Sequence, residues 1–452
     1  MSDEFGSEFF NKMQYGKESP SAHGTAVAAT NMWVGQMPKV KSDRKPTYPK
    51  EHFGARSDAF RSVIHQYLYT NTWAVEHAAF QHLPLPFGLG VKGAVTPVEQ
   101  TGGQGDYLWP FTPSMISANR PDSATLRFGD DVQAWLSEYC MCERIHISGQ
   151  VAQGADASPV SLEWDFFGRQ IQPSTFTSQV ETATVVGTIT DPGNAEVIIT
   201  AAGMNNSPKT ILVVVEDNDT ASIVAGKIRT ALAADADVID LFIVSGTGAD
   251  VVLTKRVTIL VDATLNIAID NDTCVGLTPD ASSTDTSTAI TSLPTLEPLN
   301  AKLSRFYLDN LWSDVGETEL ANLLRTFDIE ILTGVHPAFE GSVSKTFNRH
   351  REGIIAVMGT IGIEGGSAAN DLFSAHQDGD FNVGRFVLEG GAIGSGENHS
   401  LTLDWGGTFE DVTPISGADR GDNLATFVLH GFLDKTSGLA LQANVVTDRN
   451  SY

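Results

Sequence analysis

Cys140, Cys142 and His146 fall at alternate positions of one stretch, and three soft ligands on one strand face would suit a zinc ion. A fourth ligand at finger-like spacing is missing, and small thiols packed within a strand are the simpler reading. Gly88-Leu89-Gly90-Val91-Lys92-Gly93 fits the glycine spacing of a dinucleotide-binding loop. That chemistry needs a strand before the glycines and a helix after them, so that the helix N-terminus faces the pyrophosphate. Here Pro84 and Pro86 precede the run and Pro97 and Gly102-Gly103 follow it, so it reads as a glycine-rich turn. Three close acidic pairs, Asp217 with Asp219, Asp235 with Asp237 and Asp270 with Asp272, lack the central glycine and terminal glutamate of a calcium loop. They are expected to cap helices and fix turns, a weak surface cation site being the other reading.

Neither a Gly-x-Ser-x-Gly elbow nor a His-Glu-x-x-His motif occurs. Carboxylates abound, but nothing selects two of them as a glycosidase pair. Arg420-Gly421-Asp422 matches a cell-adhesion tripeptide and, between Gly417 and Asn423, reads as a polar turn. The sequence therefore assigns no catalytic, cofactor-binding or metal-ligating residue, and the expectation is a protein that is not an enzyme and takes no cofactor.

The elements that would position these residues are mostly strands. Residues 138–171 read as a long β-hairpin. In its first arm Tyr139, Met141, Ile145, Ile147 and Val151 alternate with Cys140, Cys142, Arg144, His146, Ser148 and Gln150. In its second arm Val160, Leu162, Trp164 and Phe166 oppose Ser161, Glu163 and Asp165, and Gly168 closes the run. The loop 152–158 between them contains Gly154 and Asp156, which tolerate turn dihedrals. Such a ribbon builds a barrel wall or a ring, with partners that come later in the chain.

Before it, residues 1–55 lack periodicity and look like an extended arm. A helix is expected from Ser57, where Phe60, Val63, Ile64, Tyr67 and Leu68 recur at helical spacing, and a short strand over 124–128. Near the end, strands are expected at 305–309, 328–333, 353–363, 384–388, 399–405, 424–433 and 439–446. Helices are expected from Glu317, with Leu320, Leu323, Leu324 and Phe327 as the apolar side, and over 368–375. Gly390-Gly391 and Gly406-Gly407 mark bulges or turns.

Between these halves the composition changes. From 177 to 305 the only aromatic residue is Phe242, and the stretch is rich in Ala, Val, Thr and Asp. Strands are expected at 196–200, 210–215, 241–245, 251–255 and 265–269. A helix capped by Asp219 should bury Val224, Ile228, Ala231 and Leu232, and the Ser/Thr/Asp-dense 278–291 reads as a linker. The expected architecture is mainly β, a β-sandwich or ring-forming barrel subunit with short flanking helices, carrying an inserted small α/β domain. Its parts are the arm at 1–55, a first half at 56–178, the inserted module at 179–292 and a second half at 293–452.

The totals narrow the function further. With 452 residues and 41% hydrophobic content the chain can bury more than one core. Its 29 basic and 55 acidic residues leave a formal charge of −26, which repels nucleic acid and anionic membranes. Residues 181–290 carry 15 acidic and 5 basic side chains, so both parts of the chain are acidic. Three cysteines do not make a disulfide framework. Met1-Ser2-Asp3-Glu4-Phe5 lacks signal-peptide character, and no apolar run is long enough for a bilayer, so a soluble protein made in a cytoplasm is expected, without membrane anchoring.

Taken in order, several stretches resemble the tail tube proteins of long-tailed bacteriophages, the siphovirus type. They are Tyr15-Gly16-Lys17-Glu18, Gly24-Thr25-Ala26-Val27-Ala28-Ala29-Thr30, Leu83-Pro84-Leu85-Pro86-Phe87-Gly88 and Leu126-Arg127-Phe128-Gly129-Asp130. The likeness continues in Ile145-His146-Ile147-Ser148-Gly149, Val160-Ser161-Leu162-Glu163-Trp164-Asp165-Phe166-Phe167-Gly168-Arg169, and Phe327-Asp328-Ile329-Glu330-Ile331-Leu332-Thr333-Gly334. It closes with Ser400-Leu401-Thr402-Leu403-Asp404-Trp405-Gly406-Gly407-Thr408-Phe409 and the strand expected after Asn423. The inserted segment is similar to an Ala/Val/Thr/Asp-rich module of phage structural proteins and departs from a minimal tube subunit.

The resemblance implies a virion protein, assembled in the host cytoplasm, whose copies form stacked hexameric rings around an inner β-barrel that conducts DNA during ejection. It implies partners: the chain itself, and the tape measure, tail terminator and distal tail proteins. DNA would pass without specific binding, with Glu138, Glu143, Glu163 or Asp165 supplying lumen charge, the arm reaching a neighbour, and the module decorating the exterior. A β-rich carbohydrate-binding or adhesion protein, a capsid or decoration subunit, and a hydrolase are the competing readings.

Overall fold

The computed structural model describes residues 10–39, 43–51, 57, 59–130, 132–152, 158–256, 261–286, 293–320, 323–341, 344–419 and 422–452. Strands dominate, with few short helices, and the chain divides into two compact units. The larger holds Asn11–Gly129, Trp135–Ser174 and Pro294–Tyr452, and the smaller is built on Thr175–Leu293.

In the larger unit, period-two alternation of Val160, Leu162, Trp164 and Phe166 forms the strand Val160–Gly168, which pairs antiparallel with Ala134–Gln150 from Met141 opposite Phe167 to Gly149 opposite Val160. Ala134–Gln150 pairs on its other side with Leu324–Leu332, and that strand with Ala356–Glu364. The ladder continues through Asp422–Gly431, and outward from Val160–Gly168 through Val63–Val75 to Asp43–Thr47. A second ladder runs Ser304–Asp309, Asn382–Ala392, Asn398–Asp419, Leu441–Thr447, Tyr107–Pro110, Val98–Glu99.

One long strand, Asn398–Asp419, joins the two ladders: Trp405 lies opposite Leu441 in one and Gly407 opposite Gly431 in the other. At this corner a Cβ on Gly407 would lie 1.8 Å from the His430 carbonyl oxygen, so only glycine permits the approach. The ladders face each other across one core, where Phe327 meets Phe386 at 4.5 Å and Phe306 meets Phe427 at 5.8 Å between ring centroids. Among the described residues no barrel closes within the chain. Trp73, Trp109, Trp164 and Trp405 are fully buried, each contributing on the order of 2–3 kcal/mol of apolar burial.

Several sequence expectations give way to long-range pairing. The segment expected to begin a helix at Ser57 is the strand Val63–Val75, where Tyr69, Trp73 and Val75 enter the core. The helix expected from Glu317 does not form among the described residues. Leu324 and Phe327 belong to the strand Leu324–Leu332, and a register shift between Leu324 and Thr326 lets both point inward. Gly88-Leu89-Gly90 is no turn but part of the helix Pro84–Gly90, started by proline. Gly88 is required there because the Tyr452 hydroxyl occupies the place of its Cβ, 1.9 Å away. Residues 1–9 of the expected arm lie outside the described residues; Lys12–Lys17 and Asn31–Trp33 are strands of this unit, paired with Ala124–Gly129 and each other. The helix Ser367–Asp378 forms and buries Ala369 and Leu372.

The smaller unit is an α/β fold with its own core. Lys209–Val215, Gly193–Thr200 and Asn266–Asn271 form one antiparallel sheet, and Phe242–Ser245, Asp250–Lys255, Val180–Thr184 and Thr284–Asp285 another. The helix Ala221–Ala234 buries Val224, Ala225, Ile228 and Leu232, while Ala231 stays half-buried. Its N-cap is Thr220, not Asp219. Asp219 instead accepts the Glu216 backbone N–H at 2.8 Å and pairs with Lys227 at 2.6 Å. Part of the expected linker is ordered as the strand Thr284–Asp285.

Candidate functional site

Cys140, Cys142 and His146 do not share a strand face, and the thiols pack in the core as the simpler reading expects. Between Cys142 and Arg144 the pairing with Val160–Gly168 slips by one residue, placing Glu143 in a β-bulge. A slip of one residue exchanges the two faces of a strand. Cys140 and Cys142 therefore enter the same core as Ile145 and Ile147, and His146 lies on the other side, while Tyr139 and Met141 pack with Phe167, Val335 and Phe347. Burial raises the thiol pKa of both cysteines. Among the described residues no group of three or more His, Cys, Asp or Glu side chains is placed to hold a metal.

The acidic pairs serve turns and caps. Asp235 caps the helix Ala236–Leu241 through the Asp237 and Val238 N–H groups, and Lys209 bridges Asp235, at 2.9 Å, and Asp237. Asp270 accepts the Asn271 N–H at 2.7 Å. Arg420 and Gly421 of the adhesion tripeptide lie outside the described residues, as do 153–157 of the hairpin loop.

What the fold does assemble is a charged sheet face. Beyond the bulge, the outward positions of three adjacent strands bring together Arg144, His146, Glu163, Asp165, Asp328 and Glu330. Arg144 pairs with Asp165 at 2.6 Å, Glu330 at 3.3 Å and Glu163 at 3.4 Å, and its guanidinium pKa is raised chiefly by the Asp165 hydrogen bond. His146 lies 3.0 Å from Asp328 and 3.8 Å from Glu163. Thr72 donates to Asp165 at 2.5 Å. Four carboxylates against one guanidinium leave the cluster net negative. Its side chains are 22–56% exposed, so each ion pair is worth no more than about 1 kcal/mol.

A shallow hollow of about 560 Å³ adjoins this face, lined by Glu76, His77, Ser148, Ser161, Asp328 and Thr360. Ser148 and Ser161 hydrogen-bond each other at 2.8 Å, while His146 contacts carboxylates rather than a hydroxyl. A nucleophile–base contact is not made here; the arrangement offers a fixed negative potential.

Of the four carboxylates singled out for lumen charge, the structure groups Glu163 and Asp165 on this face. Glu138 instead pairs with Arg169 at 3.0 Å. Glu143 occupies the bulge, where burial first and Asp165 second raise its pKa. Sequence reasoning missed Asp328 and Glu330 as members, although their alternation with Phe327, Ile329 and Ile331 shows them on the outward side of their strand.

A second polar cluster was also missed. The buried carboxylate of Glu18 accepts from Gly24 N at 2.7 Å, Ser123 Oγ at 2.6 Å, Thr125 Oγ1 at 3.0 Å and Tyr139 N at 2.8 Å. It fixes Tyr139, whose φ of 56° is unusual for an aromatic residue, between the stacked His23 ring and the Arg169 guanidinium. His23 Nδ1 lies 2.7 Å from Ser123 Oγ, giving serine, histidine and glutamate in contact. Yet Ser123 is fully buried and donates to Glu18, so this is a structural clamp rather than a nucleophile.

No protein-family model and no curated protein matches the chain.

Proposed function

We propose that this chain is a structural subunit of a phage-type tail tube, acting by self-assembly rather than catalysis. The observation that carries the reading is the charged face: a sheet apolar on one side presents clustered carboxylates on the other, in an open ladder whose edges a neighbouring copy would cover. Supporting it, most of the stretches that resemble tail tube proteins lie on strands of the larger unit, while residues 84–88 lie in a helix and 24–30 outside the strands. In a ring of such subunits, hexameric by the resemblance, Glu163, Asp165, Asp328 and Glu330 would line a conduit that repels phosphate, so DNA would slide without being held.

The reading puts the smaller unit outside the conduit and the protein in the virion tail, assembled in the host cytoplasm. Its partners would be further copies of itself and, by the resemblance, the tape measure, tail terminator and distal tail proteins.

Negative-stain electron microscopy of the purified, concentrated chain tests this. Rings or stacked hollow tubes are expected, and they should persist when residues 182–290 are deleted. Single-chain particles at every concentration, combined with tight glycan binding, would overturn it in favour of an adhesion protein; closed shells or trimers would favour a capsid or decoration subunit.

A further inference from the structure

The three-stranded sheet of the smaller unit has two edges, and the chain treats them differently. The edge at Asn266–Asn271 is covered by the segment that follows it. Ile269 N–H donates to the Asp280 carbonyl at 2.8 Å and Asp280 N–H to the Ile269 carbonyl at 2.9 Å. Asn266 Nδ2 donates to the Ala281 carbonyl and Ile267 N–H to Ser283 Oγ, both at 2.9 Å. The other edge, Lys209–Val215, pairs only with Gly193–Thr200 among the described residues. Pro208 and Lys209 guard only its start: from Thr210 to Val215 it has no charge, proline or bulge. Its outward positions include Leu212, 53% exposed, and Val214, 70% exposed, while Val213 and Val215 are buried in the core.

We propose that Lys209–Val215 is a docking edge for the same strand of a second copy, paired antiparallel about a two-fold axis through Val213. The charge pattern selects this occupant and direction. The run has its cation, Lys209, at one end, and Glu216 and Asp217 follow the other, so an antiparallel copy sets unlike ends together and a parallel copy sets like ends together. Lys209 already bridges Asp235 and Asp237, so the effect is steering rather than a new buried ion pair.

The alternation fixes the register. Residues opposed across an antiparallel pair share a face, so core-facing positions must meet core-facing positions. Centring on Val213 sets Leu212 against the second copy's Val214, Thr210 against Glu216, and Lys209 against Asp217. Centring on Leu212 would set Pro208, which has no N–H to donate, against Glu216 and Lys209 against Val215. The Val213 register joins two three-stranded sheets into six strands with one apolar stripe on the outer face. A single strand pair is a small contact, below the ~1,200 Å² of a stable complex, so the dimer exchanges and depends on concentration.

The test uses the full chain with Leu212→Cys and Val214→Cys made as separate variants, reduced, mixed and mildly oxidised. Opposed Cα atoms in a strand pair lie ~4.5–5.5 Å apart, within disulfide reach. Expected is a disulfide-linked dimer in the mixture at least about tenfold faster than in either variant alone, and loss of concentration-dependent association between smaller units in Leu212→Lys/Val214→Lys. Cross-linking of Leu212→Cys alone as fast as the mixture, or no excess in the mixture, would overturn the proposal. Ring formation is read separately by microscopy: rings without this cross-link would sink the docking edge alone, and the cross-link without rings would sink the tube reading alone.

Discussion

His82 shows how a single buried group can carry a pH dependence. Its ring packs on Trp33 at 4.7 Å, beside the mutually touching Trp33, Trp73 and Trp164, and its Nδ1 accepts the Ala79 N–H at 3.0 Å. Protonation would set one N–H against another in a dry site. Burial, reinforced by the nearby Arg449, lowers its pKa from 6.5 to about 4. Because the folded value lies below the unfolded one, the unfolded chain takes up the proton first as pH falls. The full stability is present above about 6.5 and declines until about 4, a loss of about 3 kcal/mol. Urea unfolding of wild type and His82→Gln across pH 4–7 should show the variant less stable near neutrality but with a shallower decline on acidification. Parallel declines would remove His82 as the cause. A lone histidine among prolines and leucines gave no hint of this, because Trp33, which packs on its ring, is remote in sequence.

At the scale of elements, strands whose two faces differ were legible. Residues 160–166 and 194–200 alternate in burial because one side meets the core and the other does not. The first parts of Val63–Val75 and Leu324–Leu332 were misread as helix, although 328–333 was read as a strand, because apolar residues three and four apart also arise where a strand changes face or shifts register, and only its partners reveal which. The bulge at Glu143 was hidden for a related reason. Tyr139, Cys140, Met141 and Cys142 are all buried, two on each side, so the one mark of the change of phase before Ile145 is the adjacent polar pair Glu143-Arg144. The charged face was half legible, through Glu163 and Asp165, and incomplete because the strand carrying Asp328 and Glu330 is recruited from far along the chain. By contrast, the fall in aromatic content between 177 and 305 followed a physical boundary, since that stretch supplies its own core. We predict that residues 175–293 expressed alone unfold in one cooperative thermal transition. Circular dichroism that melts without a transition would show that this core depends on the rest of the chain.

For the whole molecule, the formal charge of −26 sets the terms on which copies meet. Like-charged surfaces repel through water over the Debye length, which shrinks from ~30 Å at ~0.01 M salt to ~3 Å at ~1 M. Association of copies should therefore be slow in dilute buffer and accelerate steeply with sodium chloride, followed by light scattering. Assembly slowed by salt would mean that attraction between opposite charges, rather than apolar contact and strand pairing, brings the copies together.

The three cysteines give the molecule an internal clock for its own opening. Cys140 and Cys142 lie in the core of the larger unit and Cys274 in that of the smaller, all buried, with burial holding each thiol above its usual pKa. A thiol reagent in solution meets none of them until the surrounding core opens. How fast each sulfur is alkylated thus follows the opening of its own unit, and mass spectrometry of one labelled sample would follow the two units separately.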